Sequence, residues 1–206
     1  MLAKSENKLS QIKEKTLDRF NVLNSALNCV FYGLNELKKS RFEEADNALI
    51  NFERITAEID NNIVTAFATI GVEGRDLREL IAFLKITNEI NRISSNLRAM
   101  CKKIRNLSDI KEINEVKSYA TELCKCAINS SKIAIDAIDS AENMEEGEIY
   151  SKIQVQEKKG DDLYALLENN FTDFNLLNTI RKLEKITDRY MAIAALLEFA
   201  KNGKRL

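Results

Sequence analysis

The chain has 206 residues, 45% of them hydrophobic, which is ample for a buried core. Its 31 basic and 32 acidic residues nearly cancel, for a formal charge of -1, without the basic excess expected of a nucleic-acid-binding protein. There is no histidine, which excludes Ser-His-Asp and Cys-His nucleophiles, zinc sites with imidazole ligands and the Glu-x-x-His di-iron centre of ferritin-like bundles.

With no proline, no tryptophan and 6 glycines, breakers are scarce, and the abundance of Leu, Ile, Ala, Glu and Lys predicts long helices. The first is expected from about Ser5 to Lys39, with Phe20, Leu23, Leu27, Val30, Phe31 and Leu34 as its apolar side. Ser40-Arg41-Phe42-Glu43 has the pattern of a capping box and predicts a second helix to about Ile70, burying Leu49, Phe52, Ile59, Ile63 and Phe67. Gly71-Val72-Glu73-Gly74 breaks it, and Asp76, with Glu79 as reciprocal partner, is expected to cap a third helix. The core seam of that helix is read as Leu77, Ile81 and Leu84, continuing through Asn88, Asn91 and Ser95.

Asn106-Leu107-Ser108-Asp109 marks the next turn, before a fourth helix to about Ser140. The segment around Ala141-Glu142-Asn143 introduces a fifth, carrying Ile149, Ile153, Glu157, Asp161 and Tyr164. Asn169 to Asp173 forms the last turn, and Phe174 to Phe199 the last helix, with a frayed basic tail beyond it. Cys29, Cys101, Cys124 and Cys126 read as reduced, small apolar residues. The N-terminal residues lack the apolar core of a signal peptide, and no apolar run is long enough to span a bilayer. These features predict a cytosolic protein with no direct membrane insertion.

On the last helix, Phe174, Leu177, Met191 and Ala195 lie close to one face, and Glu184 and Asp188 fall on the same line. Like charges four residues apart repel by ~0.2–0.5 kcal/mol, and more when partly buried, so something must compensate them. A second pair with the same spacing, Glu157 and Asp161, precedes it by one helix. An antiparallel hairpin would join the pairs into a carboxylate cluster suited to a hard cation held by oxygen.

The helix order repeats. Ile59-Asp60-Asn61 corresponds to Gly160-Asp161-Asp162, and Ile90 to Ser95 corresponds to Leu183 to Asp188. The expected fold is therefore all-α, a duplicated antiparallel bundle of two tandem three-helix bundles over 1–107 and 108–206. Thr56, Asn91 and Ser95 stand in the first half where Glu157, Glu184 and Asp188 stand in the second, and only Asp60 keeps its charge. A hydrogen-bonded polar layer is the expectation there.

Asp76-Leu77-Arg78 with the helix Leu84 to Ile93, the acidic segment Gly160-Asp161-Asp162-Leu163-Tyr164, and Leu183-Glu184-Lys185-Ile186-Thr187-Asp188 together resemble the PhoU family of phosphate-uptake regulators. The last of these is similar to the family's Leu-Glu-Arg-Ile-Gly-Asp metal-binding motif, with Thr187 in place of its glycine and Arg189 where histidine is frequent. Asn91 and Ser95 replace the acidic residues of the first motif.

The resemblance implies a pair of three-helix bundles, no enzymatic activity and a role in phosphate transport and homeostasis. It implies a phosphate transporter component or sensor kinase as partner, and a chain attached to the membrane periphery only through that partner. A homodimer is a further expectation. The cofactor expected is a divalent or trivalent metal ion of the Mg, Mn or Fe class, on Glu157, Asp161, Glu184 and Asp188. The alternatives are an accessory protein of a phosphate permease and a metal-free helical adaptor. A metal-dependent phosphohydrolase fits less well, because no base or glycine-rich phosphate cradle is present. From spacing alone the four carboxylates read as a solvated face neutralised by Lys158, Lys159, Lys182 and Lys185; the repeat and the resemblance turn the reading toward metal. Arg181, on the same seam as Glu184, is the expected counter-charge if no metal binds.

Overall fold

The computed structural model describes residues 2–69, 74–139 and 145–203. Among them are seven α-helices: α1 (Leu2–Glu36), α2 (Lys39–Ala48), α3 (Phe52–Thr69), α4 (Gly74–Arg105), α5 (Lys117–Asp139), α6 (Glu148–Asn170) and α7 (Phe174–Asn202), with a short 3-10 helix at Ile110–Glu115. No strand occurs among the described residues, as the composition predicts. The two three-helix bundles are α1, α2–α3 and α4, and then α5, α6 and α7. Between them α4 lies along α7 and α1 along α5, so a single hydrophobic cluster runs through both sets.

Helix α1 buries Ile12, Thr16, Phe20, Leu23, Leu27, Val30 and Leu34 completely, a stripe at spacings of three and four. Thr16 fits this stripe because its hydroxyl donates to the carbonyl of Ile12 at 2.8 Å. Two residues separate this helix from the next. Leu37 adopts a left-handed conformation (φ 53°), and the N–H of Lys38 donates back to the carbonyl of Gly33 at 3.2 Å, a Schellman closure. That closure displaces the expected cap: the residue preceding α2 is Lys38, whose side chain makes no capping bond, and Ser40 lies inside the first turn.

The single helix expected from Ser40 to Ile70 is two helices. At Leu49, Ile50 and Phe52 the backbone bonds reach three residues back rather than four. This tight turn leaves both Leu49 and Phe52 in the core. The carboxylate of Asp46 ties α2 to α4, accepting from Arg98 and Arg105 at 2.8 Å each. The break expected at Gly71 lies outside the described residues, but Gly74 has φ +58°, a conformation that suits glycine. Helix α4 starts there, so Asp76 lies within its first turn and Glu79 pairs with Arg75 at 2.9 Å. Asp109 forms its capping box on the 3-10 helix rather than on α5.

The seams expected on α4 and α7 are rotated. The core stripe of α4 is Leu80, Phe83, Thr87, Ile90, Ser94 and Leu97, with Asn88 and Ser95 exposed. On α7 it is Leu176, Ile180, Leu183, Thr187, Tyr190 and Leu197, while Phe174 is 74% exposed. Each helix packs against partners on two sides, so its core face is broader than one stripe, and the polar residues lie along the rim. The segment expected to introduce α6 (Ala141 to Asn143) lies outside the described residues. Asp173 caps α7 by accepting from the N–H groups of Asn175 and Leu176. All four cysteines are free. No helix among the described residues is long and apolar enough to cross a membrane.

Glycine has a packing role at Gly33. A Cβ built there would stand 2.7 Å from the ring of Phe42, which is completely buried. Gly33→Ala should therefore destabilise the fold, the overpacking cost of about 1–3 kcal/mol exceeding the gain of up to about 1 kcal/mol from helix propensity. Urea unfolding measures it; a stabilised variant would mean that Phe42 has room to move.

Candidate metal centre

Helices α6 and α7 are antiparallel neighbours joined by the short turn at 171–173, which brings the two acidic pairs to one place. One carboxylate oxygen each from Glu157, Asp161 and Asp188 lies within 4.8 Å of the others. Oxygens on opposite sides of a Ca²⁺-sized ion, each at about 2.3–2.6 Å, stand about 4.6–5.2 Å apart, so this spacing fits a shared hard cation. Glu157 and Asp188 are half-buried and Asp161 is exposed.

Glu184 stands apart from that group of three. It is only 8% exposed, its Oε1 accepts from Lys185 Nζ at 3.2 Å, and its Oε2 is buried without a hydrogen-bond partner. A buried carboxylate oxygen with no partner is costly unless something cationic or protic reaches it. The all-oxygen donor set and this orphaned atom fit a hard metal ion.

The counter-charge is Lys185. Its ammonium donates to Asp188 Oδ2 at 2.9 Å as well as to Glu184. Arg181, expected in that role, instead lies over the ring of Tyr164 at 5.6 Å. Of the other lysines expected to neutralise the face, Lys159 turns to Glu122 on α5 at 3.0 Å. Lys158 and Lys182 form no ion pair among the described residues. Four carboxylates thus share one bound ammonium.

The charge imbalance shows in their acidity. Loss of solvation, and then the nearby Asp161 and Asp188, raise the pKa of Glu157. Asp161 is raised by burial and then by Asp188, and Glu184 by the same two causes in the same order. Lys185 holds its proton more tightly than an ordinary lysine, chiefly through its hydrogen bond to Asp188.

The first bundle differs at the corresponding positions. Thr56 donates to Asn91 Oδ1 at 2.7 Å, Thr87 to Asp60 Oδ1 at 2.6 Å, and Ser95 to Glu53 Oε1 at 3.2 Å. This is a hydrogen-bonded polar layer, and no group of three candidate ligands occurs there among the described residues.

Of the four lysines expected to neutralise the acids, Lys185 takes that role, since a cation three residues before Asp188 reaches it on a helix. Two features of the second bundle escape sequence reasoning. Gly160 is packed against Thr187: a Cβ there would meet Thr187 Oγ1 at 3.2 Å. The missing side chain on α6 thus makes room for Thr187 on α7. Glu198, 2% exposed, accepts from the N–H of Ile149 at 3.1 Å and so caps the start of α6 from α7; no local pattern signals it.

No protein-family model and no curated protein matches the chain. Solved structures do. The phosphate transport system regulatory protein PhoU from Streptococcus pneumoniae superposes with a TM-score of 0.78 at 14% identity, over 98% of this chain and 99% of that one. PhoU from Pseudomonas aeruginosa gives 0.65 at 14% identity, over 97% and 99%. At this identity the likeness is one of fold, and it extends from end to end.

Glu157, Asp161 and Glu184 all have raised pKa values in the folded chain. Each therefore favours folding fully below its unfolded pKa of about 4, and that contribution is lost as the pH rises through the raised value. In cation-free buffer the variant Glu157→Gln/Asp161→Asn/Glu184→Gln should gain stability relative to the parent chain between about pH 4 and about pH 7. Urea titrations at the two pH values check this, and a pH-independent or falling difference would contradict it. Lys185→Gln should cost about 1 kcal/mol at neutral pH, discounted for the partial exposure of the ammonium.

Proposed function

We propose that this chain is a non-enzymatic, PhoU-like regulator of phosphate transport that acts through protein partners. The observation that carries the reading is the end-to-end match of fold to a phosphate transport system regulatory protein. The partner is a phosphate transporter component or the sensor kinase coupled to one, and the chain works in the cytoplasm, at the membrane only through that partner. A near-neutral charge of -1 gives little general attraction to anionic lipid.

The centre between α6 and α7 supports a metal-dependent form of this reading. Glu157, Asp161 and Asp188 would hold a divalent or trivalent ion, with Glu184 beside them. Bound there, the ion would supply positive charge that Lys185 alone does not, and would tie α6 to α7. A metal-free adaptor is the second reading, favoured by the Lys185 ion pairs, which already place one cation among the acids.

Affinity capture from cells grown at low and at high phosphate should recover a phosphate transporter component or its kinase, more strongly in one condition, while anionic vesicles alone retain no protein. Recovery of unrelated soluble proteins with no dependence on phosphate would favour the adaptor. Elemental analysis addresses the metal separately: Asp161→Asn/Asp188→Asn should lose it, and Asp60→Asn should keep it. Equal losses from both would contradict the assignment to the second bundle.

A further inference from the structure

Beside the carboxylate centre, on the α4–α7 side, lies a groove of about 610 Å³ with a very different lining. Of the nine described residues that line it, six are cations: Arg92 and Lys103 on α4, and Arg181, Lys182, Lys185 and Arg189 on α7. The others are one serine and two asparagines. Elsewhere the surface interleaves opposite charges at helical spacing, as in Arg54–Glu58, Arg75–Glu79 and Lys152–Glu148. Here no carboxylate among the described residues lines the groove. In a chain of net charge -1, six cations facing one concave space make a local positive field that the whole-molecule charge conceals.

Most of these cations are only partly satisfied. Arg189 and Arg92 share Glu89, at 3.4 and 3.9 Å. Lys185 is held by Glu184 and Asp188 on the far side, and Arg181 lies over Tyr164. Lys103 and Lys182 form no ion pair among the described residues. The groove can therefore take on negative charge without first breaking an ion pair at those two positions.

Its dimensions and chemistry narrow the ligand. From Arg92 to Lys103 is eleven residues of helix, about 16 Å of rise, and Lys182 and Arg189 flank the opposite wall. A single orthophosphate would engage only a fraction of that length. Among the described residues no aromatic or aliphatic side chain lines the space, so they offer no stacking platform for a nucleobase and no apolar wall for an acyl chain. The remaining polar groups are hydroxyl and amide, suited to phosphoryl oxygens.

We propose that the α4–α7 groove binds linear condensed inorganic phosphate, its cations spaced to meet successive phosphoryl groups. This site does not depend on the metal reading, since none of its contacts passes through an ion.

The test is calorimetric titration of the full chain in EDTA at fixed ionic strength, with sodium tripolyphosphate and, separately, orthophosphate. Tripolyphosphate should bind saturably and orthophosphate far more weakly. The double substitution Lys103→Gln/Lys182→Gln should weaken tripolyphosphate about tenfold or more. Neither side chain has an ion-pair partner among the described residues, so the melting curve should be unchanged; Arg92→Gln, at a side chain 60% exposed, gives a second, independent loss. The charge-matched control Lys15→Gln/Lys111→Gln, outside the groove, should bind like the parent. Absence of saturable binding would overturn the proposal, as would an equal loss in the control. So would groove-dependent pelleting with phosphatidylglycerol vesicles without tripolyphosphate binding, which would make the groove a membrane contact.

Discussion

Helix α7 is buried on two sides at once, against α4 of the first bundle and against α5 and α6 of its own. A helix held this way needs a buried face wider than a single stripe, and α7 provides it with groups of neighbouring core residues such as Leu183, Ile186 and Thr187, then Tyr190, Ile193 and Ala194. What remains are two narrow rims where α7 meets its neighbours. One rim, facing α6, carries Asp188 opposite Glu157 and Asp161. The other, facing α4, carries Arg181, Lys182 and Arg189. Both candidate sites exist because the same helix is clamped from both sides, which fixes backbone positions for charges that would otherwise move apart.

The two rims have opposite charge and share one residue. Lys185 donates to Glu184 and Asp188 while lining the cationic groove. Four carboxylates with one ammonium leave the acidic side short of positive charge, and partial burial makes that shortage more costly than on an open surface. If both sites fill as proposed, a metal on the acidic side would compete with Lys185 for Asp188 and release it toward the groove. Coupling of this kind is reciprocal, so an anion in the groove would favour the metal by the same factor. Among the described residues the first bundle has no such arrangement: hydroxyls and amides replace the acids, and Asp60 accepts from the hydroxyl of Thr87.

Much of this was legible in the sequence, for identifiable reasons. Long helices follow from scarce breakers, and the apolar stripe of α1 from Phe20 to Leu34 can be read from spacing alone. The pairing of Glu157 and Asp161 with Asp188 was legible too, because a hairpin of two helices allows few registers. Non-local effects were not. Ser40 looks like a cap, but the backbone closure at Leu37 starts α2 before it. The seams on α4 and α7 were read one stripe off, since periodicity cannot reveal that a helix has packing partners on two sides. Arg181 was expected among the acids, yet Tyr164 holds it elsewhere, and the capping of α6 by Glu198 joins residues 49 apart in the chain.

As proposed, a hard cation completes the excess negative charge of the second bundle. The most direct measurement is the melting temperature of the EDTA-treated chain with increasing Mn²⁺. Saturation at a hundredfold over Kd stabilises by about 2.7 kcal/mol, a rise of about 5–10 °C for a chain of this size. That rise is expected in the parent chain, and its loss in Asp161→Asn/Asp188→Asn. An unchanged melting temperature across the titration, or an equal rise in the variant, would contradict it.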